Sequence, residues 1–423
     1  MSSMSEDRII KNMVEQGRIG RPGKRRVEES DHLDPDRGLT RPTGSKADMD
    51  ARNLAVRLMK EIGLEVKVDM VGNIIGRKEG ERKTGAILVG SHVDSVVEGG
   101  MFDGDLGVFG AIEAVRRLID EDFRNKRPIE VAVYTGEEGS AFNYGLLGSS
   151  VLTGKLSVED AWKISNREGE TLAKVLDRIG YKGDYFKDLS DVEYQLELHV
   201  EQGPVLENKS YEIGIVENIT GLTWIHGEIS GSQGHAGTTP MQMRKDSMVA
   251  ASELVQYISD RAGEIGPTTV GTVGEIYAYP NRPNVIPGKV VFEADLRDVN
   301  NANMKQLQGD IMAKAREIQS RRGVTIDIET AFSHGATPLN AEVQSIIERA
   351  AGNLGYSKLR MNSGAGHDSQ NMARKVKTGM IFVPSAGGVS HAPTEWTEWE
   401  DIERGVRVLA ETIRSLASRP HDD

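Results

Sequence analysis

Residues 86–107 read AILVGSHVDSVVEGGMFDGDLG, and the order of residue types in this stretch decides the fold. An apolar run ends on Ser91-His92, a polar glycine-rich loop follows, and then Val108, Ile112, Val115 and Ile119 recur at the spacing of one helix face. A strand that is apolar on both sides must be covered on both sides, which is the condition of a parallel sheet flanked by helices. Ligands of such sheets bind at the carboxyl ends of the strands. His92, Asp94 and Asp103 therefore fall where chemistry is expected.

The same pattern returns in IEVAVYTGEE (129–138), YQLELHVEQ (194–202) and TGMIFVPS (378–385), each a buried-strand run whose final residues turn polar. Helical spacing runs from Ala47 to a glycine stop at Gly63, and again through Ile402, Val406, Leu409, Ile413 and Leu416. The fold class is α/β, a mostly parallel sheet flanked by helices. Between 215 and 332 the order changes to strand (LTWIHGEIS), helix (246–261), two strands (TVGTVGEIYAY, KVVFEADLRD), helix (303–321) and strand (VTIDIET). That βαββαβ order is the ferredoxin-like split motif, small enough to be an insertion. The expected organisation is one discontinuous domain, 1–214 with 333–423, interrupted by a second at 215–332. The first 45 or so residues, with GRIGRPGKRR (17–26) and DHLDPDRGLTRPTGSK (31–46), read as a loop-rich arm with a short helix near Ile9 to Gln16.

Composition narrows the chemistry. A chain of 423 residues suits roughly two to three domains. It has no cysteine, which removes disulfides, thiolate zinc, iron–sulfur clusters and a thiol nucleophile, so any metal must be held by histidine and carboxylate. The net charge of −12 argues against nucleic acid. No stretch approaches the ~18 apolar residues of a membrane span, and MSSMSEDRII lacks a signal peptide's pattern. A cytoplasmic protein is expected.

Of the nine histidines, five (His92, His199, His235, His367 and His391) lie in glycine- or carboxylate-flanked strings. Each alone reads more readily as a hydrogen-bonded structural residue than as a ligand. The convergence of His92, His199 and His391 with Asp103, Glu137 and Glu138 at four strand ends on one sheet edge reverses that weighting. Five donors, His92, Asp103, Glu138, His199 and His391, exceed the three protein ligands usual for one catalytic zinc. They suit a two-metal site with metals about 3.5–4 Å apart: His92 and His199 on one, Glu138 and His391 on the other, Asp103 between. A water between two such cations is acidified, and Glu137 is placed to take its proton. Asp94 either fixes the ring of His92 or caps a turn. The implied reaction is metal-assisted hydrolysis of an amide-like carbonyl.

The inserted segment carries its own polar set. GSQGHAGTTPM (231–241) presents His235 between glycines, and NRPNVIPG (281–288) offers Asn284 in a turn. Arg297 lies with Glu293 and Asp295 on the polar face of KVVFEADLRD, opposite Phe292, Ala294 and Leu296. A histidine donor suits a developing oxyanion and an arginine fork a substrate carboxylate, although a salt bridge with a strand neighbour fits Arg297 equally well. GAGHDSQ (364–370) resembles a backbone nest at a helix start, with His367 and Asp368 alternatively structural caps.

In order, GSHVDSVVEGGMFDGDLGV, ELHVEQGPVLE, GHAGTTPM, NVIPG, SGAGHD and MIFVPSAGGVSHAPTEW make the chain resemble the hydantoinase/carbamoylase family of dinuclear amidohydrolases, relatives of aminoacylases and carboxypeptidase G-like metallopeptidases. The resemblance runs from about Gly38 to Ser415. It implies a dinuclear catalytic domain with a lid and dimerisation domain, and hydrolysis of an N-carbamoyl group to amine, carbon dioxide and ammonia. The implied cofactors are two divalent ions, zinc or manganese, with cobalt or nickel as substitutes. By motif position it puts metal ligands on His92, Asp103, Glu138, His199 and His391, and the general base on Glu137. Substrate contacts fall on Gln202, His235, Asn284, Arg297 and Gly366, with His235 and Asn284 reaching a neighbouring subunit's site. Gly136 and Ala141-Phe142 replace an acidic residue and an arginine–aromatic pair of many relatives, which bears on the side chain accepted. The expected substrate is an N-carbamoyl-L-amino acid, with allantoate or N-carbamoyl-β-alanine as near alternatives and a dipeptide or N-acyl amino acid as a more distant one. A metal-free binding or scaffold protein on the same fold is the non-enzyme alternative.

Overall fold

The computed structural model describes residues 2–21 and 38–419, so the part of the expected arm at 22–37 lies outside the described residues. The chain divides into two compact units, one of residues 1–217 and 338–423 and one of residues 218–337.

The larger unit is built on a sheet of nine strands among the described residues. Its order is Glu65–Val68, Ile74–Lys78, Ile129–Tyr134, Ala86–His92, Val192–Val200, Lys377–Val383, Ile213–Ile219 and Thr337–Pro338, with Lys358–Ser363 also beside Ile213–Ile219. The four central strands, from Ile129–Tyr134 to Lys377–Val383, run parallel, and Ile74–Lys78 and Ile213–Ile219 add on antiparallel at either side. Every residue of Ala86–His92 and Ile129–Tyr134 is buried, the pattern of strands covered on both faces. The register pairs His92 with Tyr134 and His199 with Phe382, which levels the carboxyl ends of the central strands. Helices Asp105–Asp120 and Trp399–Ala417 pack on the sheet through Val108, Ile112, Val406, Leu409 and Ile413, all fully buried. The helix Lys46–Glu61 starts at Ser45, whose hydroxyl accepts the N–H of Asp48. An N-terminal helix, Ser2–Gly17, is longer than the expected Ile9 to Gln16 and buries Ile9 and Met13 in the same core.

The smaller unit has strands Gly221–Ser230, Val270–Tyr279, Lys289–Asp298 and Thr325–His334 in the sheet order fourth, first, third, second, all antiparallel. Helices Ser247–Ile265 and Asn301–Arg322 cover one face. Their Leu254, Ile258, Leu307 and Ile311 pack with Ile225, Ile229, Phe292 and Leu296 in a separate core. That is the ferredoxin-like arrangement of βαββαβ. The other sheet face carries Trp224, His226, Asp295, Arg297 and Phe332 and leaves Trp224 and Phe332 about half exposed.

Candidate functional site

His92 ends its strand and His199 is the penultimate residue of Val192–Val200. Each ring is tied by Nδ1 to a backbone carbonyl, His92 to that of Asp94 and His199 to that of Val200, both at 2.9 Å. A carbonyl can only accept, so each Nδ1 carries a proton and both Nε2 atoms face inward. His199 Nε2 lies 3.2 Å and His92 Nε2 3.9 Å from Asp103 Oδ1. The loop carrying Asp103 enters its helix through Gly104, with φ +70°, where a Cβ would come within 2.3 Å of the His92 ring. Glycine is required there for the backbone conformation and for the ring's space.

The strand Ile129–Tyr134 stops before its glutamates, and Glu137 and Glu138 stand on the following turn. His391 lies on a loop beyond Lys377–Val383, at φ +54°. Its Nε2 is 3.1 Å from Asp103 Oδ2 and 3.6 Å from Glu138 Oε2. The two groups His92–Asp103–His199 and Asp103–Glu138–His391 each bring their donor atoms within 4.8 Å of one another and share Asp103. Glu137 joins them, its Oε2 3.6 Å from His92 Nε2.

The electrostatics are those of too many buried carboxylates. Burial and the neighbouring Glu138 push Glu137 well above the usual carboxylate range, and burial with Asp103 does the same to Glu138. Asp103 itself, against the cost of burial, is held well below that range by His199 and His391. Burial would lower His199, but Asp103 lifts it to about 9; the hydrogen bond to Asp103 lifts His391 to about 9 as well. Histidine and carboxylate donors in two groups around a shared aspartate, with surplus negative charge, fit a pair of divalent cations.

Two open readings are decided and one expectation is corrected. The carboxylate of Asp94 does not hold the His92 ring, because the Asp94 carbonyl takes that place. Oδ1 instead accepts the N–H of Glu137 at 3.2 Å, and Oδ2 accepts the N–H of Glu138 at 3.4 Å and the Thr43 hydroxyl at 3.0 Å. The nest in GAGHDSQ is filled from within, since the N–H of Ser369 goes to Glu197 Oε2 at 3.2 Å and His367 Nε2 meets the Ser363 hydroxyl at 2.9 Å. His391 and the glutamate pair stand on loops rather than at strand ends.

Sequence reasoning missed two buried glutamates. Glu197 stands on the same strand as His199 and accepts the hydroxyls of Ser91 and Ser369 at 2.7 and 2.6 Å. Glu395 accepts from the loop that carries Asp103. A charge inside the strand YQLELHV and one inside the aromatic string HAPTEW were the available signals. Gln202, at φ +60°, donates from Nε2 to Asp103 Oδ2 at 2.9 Å and to the Ser390 hydroxyl at 3.2 Å, and its buried Oε1 accepts nothing among the described residues. Gly366 precedes His367, whose ring stacks edge-on against His199 at 4.5 Å.

In the smaller unit His235 pairs with Val285 across a short bridge, and the N–H of Ala236 donates to the Asn284 carbonyl at 3.1 Å, so His235 and Asn284 share one turn cluster. His235 Nδ1 accepts the N–H groups of Gly237 and Thr238 at 3.0 and 3.2 Å. The neutral ring's proton is therefore on Nε2, which is an exposed donor. Arg297 donates from Nε and Nη2 to both oxygens of Asp295 at 2.8 and 3.0 Å, and Trp224 Nε1 donates to the same carboxylate at 2.9 Å.

The sequence model of peptidase family M20/M25/M40 matches residues 88–415. An N-carbamoyl-L-amino acid amidohydrolase of Geobacillus stearothermophilus is 38% identical over 416 residues, covering 97% of this chain and 98% of that one. An allantoate amidohydrolase of Bacillus subtilis (strain 168) is 35% identical over 385 residues, covering 90% and 93%. The crystal structure of an amidase of the hydantoinase/carbamoylase family from Burkholderia multivorans superposes with a TM-score of 0.92 at 33% identity, covering 98% of both chains.

Proposed function

The chain belongs to peptidase family M20/M25/M40, and from that premise we propose that it is a metal-dependent amidohydrolase cleaving the ureido C–N bond of N-carbamoyl-L-amino acids to L-amino acid, carbon dioxide and ammonia. The observation that carries this reading is the pair of donor groups sharing Asp103 beside Glu137. Two divalent ions, zinc or manganese, would be held by His92 and His199 on one side and Glu138 and His391 on the other, with Asp103 between. Bound there, they would supply Lewis-acid polarisation of the scissile carbonyl and acidify the attacking water.

The protein's own groups do the rest. Glu137 takes the proton of the attacking water and returns it to the leaving nitrogen. Asp94 fixes where Glu137 stands, through the backbone bonds it accepts. His235 offers Nε2–H to the carbonyl oxygen as negative charge develops on it, and Asn284 adds a polar group from the same turn cluster. Arg297, its fork held by Asp295, pairs with the substrate's carboxylate. The unpartnered Oε1 of Gln202 suits the N–H donors of a carbamoyl group, and Gly366 leaves the backbone of its loop accessible to the substrate. His235 and Asn284 serve the site of a second copy in a homodimer formed through the smaller unit, which acts as lid and dimerisation domain. The working location is the cytoplasm; among the described residues no helix is long and apolar enough to cross a membrane.

A panel of N-carbamoyl-L-amino acids, allantoate, N-carbamoyl-β-alanine, N-acetyl amino acids and dipeptides, assayed with zinc, manganese or cobalt, tests the substrate. The highest kcat/KM belongs to an N-carbamoyl-L-amino acid on this reading, and a panel led by allantoate or a dipeptide overturns it.

A further inference from the structure

Glu395 is buried, 1% exposed, and belongs to no ligand group described above. Its Oε1 accepts the backbone N–H groups of Phe102 and Asp103, both at 3.1 Å, and its Oε2 accepts the Ser390 hydroxyl at 2.8 Å. The carboxylate thus spans two loops: the one that carries Asp103 and the one that carries His391. Neither loop has regular secondary structure at these residues, so their positions depend on such links. Space for the link is built into the backbone. A Cβ at Gly100 would lie 2.0 Å from Glu395 Oε1 and 2.1 Å from its Cδ.

The two donor groups depend on this link unequally. His92 and His199 stand at strand ends and are oriented by their own carbonyl bonds, so Asp103 is the member of that group that a loop positions. In the second group both Asp103 and His391 come from the loops Glu395 joins, and His391 is half exposed with a left-handed backbone. We infer that Glu395 is a positioning residue that holds Asp103 and His391 at ligand distance, so that it sets the affinity of the Asp103–Glu138–His391 metal position in preference to the His92–Asp103–His199 position. This rests on the two-metal reading above.

The test measures zinc per chain on the whole protein across a graded chelator series, which resolves two dissociation constants. Glu395→Ala is expected to weaken by about 10- to 100-fold the zinc that His391→Ala also weakens, the usual range for a group that orients a metal ligand, and to leave the other within about 3-fold. Glu395→Gln keeps an oxygen for the two N–H groups and should hold both constants near those of the unaltered protein. Should Glu395→Ala fail to fold, Ser390→Ala cuts one arm of the link and should weaken the same zinc selectively by a smaller factor. Equal weakening of both zincs, no weakening of either, or a Gln variant as poor as Ala overturns the assignment. If the unaltered protein takes up no zinc at all, the two-metal reading itself has failed, which is a distinguishable result.

Discussion

His92 Nδ1 lies 2.9 Å from the carbonyl oxygen of Asp94 and 3.8 Å from its carboxylate Oδ1. One residue therefore does two separate jobs: its backbone orients the His92 ring, and its side chain carries the turn of Glu137 and Glu138.

That division predicts the behaviour of Asp94→Asn. The carbonyl remains, so the His92 ring keeps its orientation and metal content stays near two per chain. The amide's NH2 would face an N–H that the carboxylate had accepted, and leaving such a donor unpaired costs about 1–3 kcal/mol. A fall in kcat of roughly 10- to 100-fold at unchanged zinc content is expected. Loss of zinc with full activity per remaining metal would show that the carboxylate serves His92 after all.

Glu137→Gln keeps the size of the side chain and removes the base. The kcat should fall by about 10²-fold or more while zinc content is unchanged, measured on the same preparation. A variant with near-normal kcat contradicts the assignment.

Arg297→Ala should raise KM for N-carbamoyl amino acids by about 10- to 100-fold, the equivalent of a charged, forked hydrogen bond. Turnover of an N-alkylurea, which has no carboxylate, should be unaffected. Equal effects on both substrates would point to a structural role for the Arg297–Asp295 pair.

Asp69 gives a pH prediction away from the metals. Burial raises it to about 6 from 3.8, against the hydrogen bonds it accepts from Asn73 and Val71. A carboxyl raised by folding contributes stability that is complete below its unfolded value and lost as pH rises through its folded one. The gap corresponds to on the order of 3 kcal/mol. Urea unfolding of the chelated protein should show stability falling from about pH 4 to 6, and Asp69→Asn should make that fall shallower. An identical slope in the variant refutes the prediction. Asn73 Oδ1 also accepts the N–H of Thr135, so the same hairpin supports the backbone leading to Glu137.

If His235 serves a neighbouring subunit, mixed Glu137→Gln and His235→Ala chains should regain activity through hybrid dimers. The regained rate is read after subunit exchange has been demonstrated by mass. No recovery under those conditions argues that each site uses its own His235.

The parallel core was legible because Ile87 to Val89 and Val131 to Tyr134 are apolar on both faces, a demand only helices on both sides satisfy. The antiparallel additions, such as Glu65–Val68 on Ile74–Lys78, were not, since short partly polar strands carry no unambiguous period. The convergence of His92, Asp103, Glu138, His199 and His391 was legible because ligand chemistry restricts residue type. What those residues rest on was not. Whether Asp94 acts through its carbonyl or its carboxylate depends on a turn of two residues, and Glu395 reaches Asp103 from 292 positions away in sequence.

The most direct test of the central claim is ammonia release from an N-carbamoyl-L-amino acid by chelator-stripped protein before and after addition of zinc or manganese. No turnover is expected when stripped, and on reconstitution one ammonia for each L-amino acid formed. Turnover that survives complete metal removal, or reconstituted protein that releases no ammonia, would contradict it.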